Sequence, residues 1–546
     1  MALVTATILS NGKTMDPSFE VVTMDIVKEV NRIPYAVVQL LDGNAAGQTF
    51  AISDDAFFEP GKEIEIKLRD EGIPGSEVSV FKGLVVKQVV EAGAQGTLLT
   101  IEMKDAALKL TQTRHGAVYS QKTDSDVFST LIANAGLKKG RLAATSPVHE
   151  ALVQYYCTDW DFMLSRADVS GLVVIAEDGE ISVKPIAFDG SAKHTFEFGI
   201  TDIYAFEMAV DGSHQYAAVE SVAWDAKNQK LTQVSKAKSF NLVQGNLKAE
   251  TIAKAVGGKV RSLSSAVPLD PKALQAWADG AMQKSRMSML RGVLSVPGTG
   301  GLKRMDLIEI AGVGKRFNGK TLVTGVRHRV DPNGWQTDVQ FGLSAERFIT
   351  RPDVMERPAA GQLPGVNGLQ LGIVVSGDDP EKADRVKVVL PGIDDKNGEV
   401  WARMAFPDAG KGRGIFFRPE PGDEVVVGFF NDDPRHAVIL GGMYNPKNTP
   451  PSDLKEKRKD NVAKGIVSRS GTTLTFLDDE KPSVFLQTPG KNSIVLDDNA
   501  QKITIMDQHG NTVSLSKDGI AIKSAKDFKI DASGNVEIKG SRVDIK

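Results

Sequence analysis

The chain of 546 residues has a single cysteine, Cys157, which excludes an intrachain disulfide framework and any cysteine-rich zinc site. It has little net charge: 66 Lys and Arg stand against 69 Asp and Glu, a formal −3. Such a balance argues against a protein built around a nucleic-acid-binding face, which shows as a clear basic excess. No apolar run reaches the roughly 18 residues of a membrane-crossing helix. The opening Met1-Ala-Leu-Val-Thr-Ala-Thr lacks the basic start and apolar stretch of a signal peptide, so synthesis and assembly in the cytoplasm are expected. The seven histidines (His115, His149, His194, His214, His328, His436 and His509) are scattered without HExxH spacing, and no metal or cofactor is expected. No local signature of Ser-His-Asp or paired-carboxylate catalysis is present either. Cys157 has no obvious base beside it and reads as a buried structural thiol rather than a nucleophile.

What is present is ample core material, 41% hydrophobic with 25% charged residues, over a length that suggests three or four domains. The first hundred residues read as short strands: Val37–Leu41, Glu63–Leu68, Leu84–Val90 and Thr97–Met103, punctuated by Asp42-Gly43, Pro60-Gly61, Pro74-Gly75 and Gly93. A helix is expected next, capped by Thr123 or Asp124, with Val127, Phe128, Leu131, Ile132 and Ala135 on one face and Gly136 as its stop. A second should start at Thr158 and end before Gly171. The longest has Asp270 as cap and Pro271 at its first position, with Leu274, Trp277, Ala278, Ala281, Met282 and Met289 at helical spacing. The rest, to about residue 348, reads as strand. Residues 349–366, rich in Pro, Gly and Ala, read as a linker. A compact β unit follows from about Leu369 to Asn445, and then a loop, Pro446–Lys464, with Pro450-Pro451 and the basic run Lys455, Lys457, Arg458, Lys459. That run reads as a solvated linker, with an anionic partner as the alternative.

The tail is the most regular part. Apolar pairs at i, i+2 occur at Leu474/Phe476, Val484/Leu486, Ile494/Leu496, Ile503/Ile505, Val513/Leu515, Ile520/Ile522, Phe528/Ile530, Val536/Ile538 and Val543/Ile545. Nine short strands with one apolar face are expected, with steps that shorten from about ten residues to about eight. An apolar sheet face must be covered by another layer, and the tail has no amphipathic helix to do it. Three identical sheets packed around a shared axis form the economical solution, a tapering needle on the order of 45 Å long at the usual strand spacing. A monomeric β-sandwich is the alternative. Acids and bases nearly balance over residues 471–546, so mixed solvated charge is expected on the outer faces.

Gly314-Lys-Arg-Phe-Asn-Gly319-Lys320-Thr321 matches the P-loop pattern letter for letter. That chemistry needs a helix after the loop to present its N–H groups to phosphate. The following Leu322-Val-Thr-Gly-Val-Arg-His-Arg-Val-Asp alternates as a strand does, so a hairpin is expected, with a nucleotide-binding enzyme as the remote alternative.

Three segments resemble the VgrG-type spike proteins of type VI secretion and related contractile injection systems. Trp401-Ala-Arg-Met-Ala-Phe-Pro-Asp-Ala-Gly-Lys-Gly-Arg-Gly, Pro419-Glu-Pro-Gly-Asp-Glu-Val-Val-Val-Gly-Phe and Asn431-Asp-Asp-Pro-Arg-His-Ala-Val-Ile-Leu-Gly-Gly-Met-Tyr-Asn-Pro look like that family's OB-fold domain. Tyr156-Cys-Thr-Asp-Trp-Asp-Phe-Met-Leu-Ser-Arg-Ala, with Gly171, is similar to the hub segment shared with phage late-control proteins. Ser468-Arg-Ser-Gly, with Leu477-Asp-Asp, resembles the entry to the family's needle.

The resemblance implies a mainly β protein: a hub of β-barrel domains with a few helices (1–348), a linker (349–368), an OB-fold neck (369–446), a linker (447–465) and a trimeric β-prism or β-helix needle (466–546). It implies a homotrimeric spike without catalysis of its own. Such a spike caps the inner tube, contacts the tail tube protein and baseplate proteins, and touches membrane only transiently while puncturing the target envelope. It carries a PAAR-type tip protein or effectors, within a particle delivered outside or into a target cell; a phage tail baseplate spike is the alternative. In the OB domain, Pro421, Gly422 and Asp423 read as a turn, Val425, Val427 and Phe429 as core, Trp401 as a core filler, and Gly441 with Gly442 as a close backbone approach. Nucleic-acid binding by this domain is not expected, because its strands show few aromatics beside basic residues. Arg542, Val543, Asp544, Ile545 and Lys546 would form a blunt platform for the tip protein. A tip metal is not expected, because the end lacks His-x-His.

Overall fold

The computed structural model of the chain describes residues 4–73, 75–93, 96–455 and 460–546. Residues 1–3, Pro74 and the run Lys457, Arg458, Lys459 lie outside them, as does the Lys455 side chain. Two compact units form, Met1–Glu356 and Arg357–Lys546.

The first unit is organised by a thirteen-stranded sheet. The expected early strands are there, at Tyr35–Leu41, Glu63–Asp70, Val78–Gly93 and Gly96–Lys104, and they surround a core of Ile8, Met24, Ile26, Phe58, Ile66, Phe81 and Met103. The strand Gly319–Asp331 runs antiparallel to Val21–Glu29, with Val326 opposite Lys28. The end of the unit is thereby joined to its beginning, and a second core of Leu294, Ile308, Ile310, Val323, Val339 and Phe341 continues the same sheet.

The helices form where their caps are. Helix α1 (Asp124–Asn134) starts with a reciprocal box in which the Asp126 N–H donates to Thr123 Oγ1 and the Thr123 N–H to the Asp126 carboxylate. Gly136 follows it at φ +64°, a conformation that only glycine enters without strain. Helix α2 (Asp159–Val169) is capped by Thr158. Phe128, Leu131, Trp160 and Met163 of these two helices pack with Val174, Ile181 and Val183. The stretch read as strand also holds a short helix, α3 (Ala249–Ala255), which corrects that reading. Its preceding Lys248 makes no side-chain cap, so no start signal marked it, and burial of Ala249 and Ala253 holds it in place. Helix α4 (Pro271–Met287) begins at Asp270 and Pro271 as expected, while Met289, counted in the same periodicity, lies past its end in a buried position. The loop before the tail also holds one helical turn, α5 (Ser452–Lys455).

An ionic clamp of two buried cations and a partly exposed carboxylate ties the helical insertion to the sheet. Glu177, at the turn between strands Leu172–Glu177 and Glu180–Pro185, accepts from Lys28 Nζ at 2.6 Å and from the Arg304 guanidinium. Arg304 also donates to the carbonyls of Ala176 and Glu29, and its side chain is 1% exposed. Burial pushes the Glu177 carboxyl up, but the charges and hydrogen bonds of Lys28 and Arg304 outweigh it and hold it below the ordinary range.

In the second unit five strands (Gln370–Ser376, Val386–Val389, Glu399–Met404, Glu424–Phe429 and Ala437–Met443) close into a barrel around Val374, Val386, Val388, Ala402, Val425, Val427 and Ile439, with Phe429 packed against them. Closure comes from a parallel pairing, Ala402 opposite Ala437. A seven-stranded antiparallel meander follows: Ala463–Val467, Thr473–Leu477, Ser483–Gln487, Ser493–Asp497, Lys502–Met506, Thr512–Ser516 and Gly519–Lys523. The first was not among the nine expected. The last three expected, at Phe528/Ile530, Val536/Ile538 and Val543/Ile545, form no strand in the single chain. Their apolar residues, Phe528, Ile530, Val536, Ile538, Val543 and Ile545, stand exposed, and a single chain supplies no neighbouring copy to pair with or cover them.

Removing the shared carboxylate leaves two buried cations unpaired. Because the Glu177 side chain is 39% exposed and solvent screens its ion pairs, Glu177→Gln is expected to lower the unfolding free energy of the first unit by about 1 kcal/mol in denaturant titration. Because the Glu177 pKa is lowered, the clamp contributes fully above the ordinary carboxylate range, and its contribution is lost as pH falls through that lowered value. Glu177→Gln should remove this part of the acid sensitivity.

Candidate functional site

The meander presents its apolar residues in two unbroken ladders on one face. Phe476, Val484, Leu496, Ile503, Leu515 and Ile520 are successive cross-strand partners. Leu474, Leu486, Ile494, Ile505, Val513 and Ile522 form the second ladder, which Ile466 extends. The strand period of two puts these on the same side, and Ile494, Leu496, Ile503 and Ile505 remain 38–46% exposed. A hollow of about 580 Å³ runs along them, lined by Leu486, Ile494, Ile505, Val513, Ile522 and Phe528. Covering such a face is worth on the order of 1 kcal/mol for each half-exposed side chain.

The other face carries Thr475, Phe485, Val495, Thr504, Ser514 and Ala521 as its central column. The mixed charge expected on that face sits instead in the turns and at strand ends. On one edge, asparagines two strand steps apart do the same job: Asn492 Oδ1 accepts from the Gln508 N–H, and Asn511 Oδ1 from the Ala525 N–H. Their recurrence at equivalent turn positions is the signal that could have shown them in the sequence.

The five residues at the end have no strand pairing; Arg542 Nε donates to Asp544 at 2.9 Å, and Val543 and Ile545 are exposed. In the barrel, Gly422 turns at φ +93° and the Asp423 N–H closes the Pro421-Gly422-Asp423 turn onto Glu420 O. Trp401 does not fill the core. Val400, Ala402 and Met404 face inward, so Trp401 points out, with Arg385 and Lys387 at 5.5 and 5.2 Å from its ring. Gly441 is no close approach either, since a Cβ there would meet nothing within 4 Å. It follows a bulge in which Val426 faces Gly441 and Val427 faces Ile439. Aromatics do stand beside cations here, as Arg418 lies over the exposed Phe416. Those cations are neutralised locally, Arg385 by Asp379, Lys387 by Glu399 and Arg418 by Asp384, so the barrel offers no basic groove.

The P-loop look-alike is a hairpin. Strand Leu307–Ala311 pairs antiparallel with Gly319–Asp331, Lys320 Nζ donates to Gly190 O at 2.6 Å, and Thr321 is buried in the strand. His115 and His149 pair with Asp159 and Asp124. His328 is buried beside Thr337, and burial with Lys28 nearby, partly offset by Glu177, lowers its pKa to about 3. Burial pushes the Cys157 thiol up, away from nucleophile chemistry. Among the described residues, no three His, Cys, Asp or Glu side chains are grouped to hold a metal.

A closed five-stranded barrel followed in sequence by a one-sided strand stack is the arrangement that carries the likeness to VgrG-type spike and phage-baseplate proteins. Residues 370–444 match the type VI secretion system/phage-baseplate injector OB domain, and residues 483–546 the phage baseplate V C-terminal trimerisation domain. Residues 1–332 match the Alg8 N-terminal domain, and the chain belongs to that family. The type VI secretion system spike protein VgrG1a of Pseudomonas aeruginosa is 28% identical over 201 residues, 34% of this chain and 30% of that protein. The actin cross-linking toxin VgrG1 of Vibrio cholerae is 33% identical over 158 residues, 27% of this chain and 14% of the toxin. The chain thus spans less than a third of these curated relatives. The crystal structure of a tail protein from Neisseria meningitidis MC58 aligns with 64% of this chain and 99% of its own, at 15% identity and a TM-score of 0.45.

With a strand where a nucleotide-binding helix would stand, a fluorescent ATP analogue should show no saturable binding. Lys320→Met should change stability by less than about 1 kcal/mol, since it removes one exposed hydrogen bond. Saturable binding lost in Lys320→Met would overturn the hairpin reading.

Proposed function

We propose that the chain is the structural spike at the tip of a bacterial contractile injection machine and works as a homotrimer without catalysis. The observation that carries this reading is the pair of apolar ladders, which nothing in the described part of the chain's own sheet covers. Three copies packed ladder to ladder enclose an axis and bury them, and the match of residues 483–546 to a trimerisation domain supports that number. In this reading residues 1–348 are the hub that caps the inner tube and meets baseplate proteins, with 349–368 as linker. Residues 369–446 form the OB neck, 447–465 a second linker and 466–546 the needle that punctures the envelope. Residues 542–546 are the platform for a PAAR-type tip protein, with Val543 and Ile545 as its apolar contacts. Kinship to spike proteins, one of which is named as an actin cross-linking toxin, supports a role in carrying effectors. Assembly in the cytoplasm would precede delivery outside or into a target cell. No helix of the described residues is long and apolar enough to cross a membrane.

Native mass measurement should give about 176 kDa, three chains of 58.7 kDa. Two neighbouring substitutions separate the faces of one strand. Ile505→Asp puts a carboxylate in the ladder and should abolish the SDS-resistant trimer, while Thr504→Asp, on the opposite face, should leave it intact. A well-folded wild-type monomer would sink the proposal. Deleting residues 541–546 should abolish tip-protein binding in a pull-down while the trimer persists; retained binding would place the platform elsewhere.

A further inference from the structure

The meander separates its turns onto two edges, and the edges differ in charge. Turns 477–483, 497–502 and 516–519 lie on one edge, which the start of the first strand joins. Turns 467–473, 487–493 and 506–512 lie on the other, which the exit of the last strand joins. The first edge holds six acids against four lysines (Lys464, Lys481, Lys502, Lys517), and Lys464 is bound to Asp478. The second holds four bases against two acids, Asp507 and Asp527. On the second edge Arg469 reaches Glu420, whereas the Lys491 ammonium has no ion pair among the described residues of its own chain. Lys491 also stands at φ +65° in a tight turn that its N–H closes onto Thr488 O.

A three-fold arrangement of identical sheets, apolar faces inward, has a heterologous contact at each corner, where the first edge of one copy meets the second edge of the next. Turns on the two edges alternate along the stack, offset by one strand spacing of about 4.8 Å. With copies at equal height, the Lys491 turn of one copy falls between the 477–483 and 497–502 turns of its neighbour. Those turns carry Asp479, Glu480 and Asp498, which have no ion pair among the described residues of their own chain.

We propose that these corners are ionic clasps between copies, with Lys491 seated between the acidic turns of the next chain, and that they make the trimer select copies of its own kind. This rests on the trimeric reading above. The ladders supply adhesion, which any similar apolar face could share. The corner charges supply discrimination, because a mismatched edge sets like charges against each other.

The test uses full-length chains. Lys491→Glu alone should speed subunit exchange about fivefold or more at low salt, an effect that high salt erases. Adding Asp479→Lys and Asp498→Lys to the same chain reverses the charges on both sides of the Lys491 contact and should restore slow exchange. When wild type and this swapped chain are co-expressed and counted by native mass spectrometry, mixed trimers should fall at least about fivefold below the statistical three quarters. Statistical mixing within intact trimers would overturn the clasp and leave the trimeric reading standing. A monomeric wild type would overturn both.

Discussion

An apolar sheet face that the described part of its own chain leaves uncovered is the constraint on which this protein turns. Each strand of the meander is five residues long, and all but the first show two large aliphatic or aromatic side chains on the ladder side, too few for a sheet to bury by folding on itself. Strict antiparallel register from Leu474 to Ile522 makes this a structural problem rather than a compositional one. One residue of slip would send Ile494 and Ile505 to the Thr504 face and break both ladders. The turns therefore have to hold register, and Asn492 and Asn511 do so by hydrogen-bonding the backbone of the next turn on the same edge.

The first unit solves the opposite problem. Its cores are closed internally, and the difficulty is joining elements far apart in the sequence. Pairing Gly319–Asp331 with Val21–Glu29 commits the ends of the unit to one sheet, and the Lys28–Glu177–Arg304 clamp binds the helical insertion to it. A carboxylate between two buried cations tolerates little displacement, since any shift leaves a desolvated charge.

Electrostatics in the barrel is spent locally. Asp379, Glu399 and Asp384 each neutralise a cation that flanks Trp401 or Phe416, so a surface whose aromatic and basic residues would otherwise suit a nucleic-acid strand carries no field to attract one. The barrel and the sheet thus use charge differently: paired within the chain in one, separated between edges in the other.

Local patterns were legible in the sequence alone. The Thr123, Thr158 and Asp270 caps, the early strands, the P-loop look-alike as a hairpin and six of the nine apolar strand pairs follow from neighbours a few residues apart, and short-range sterics and hydrogen bonding decide them. Helix α3 escaped because its start carries no cap, and Trp401 was misplaced because a large apolar residue was assumed to face inward. There the alternation of the strand settled which neighbour did. Tertiary structure alone decided the pairing of residues 319–331 with residues 21–29 and the convergence of Lys28, Arg304 and Glu177. Each of these depends on contacts between residues remote in the chain, and the free energy of such contacts exists only once the intervening segments have folded.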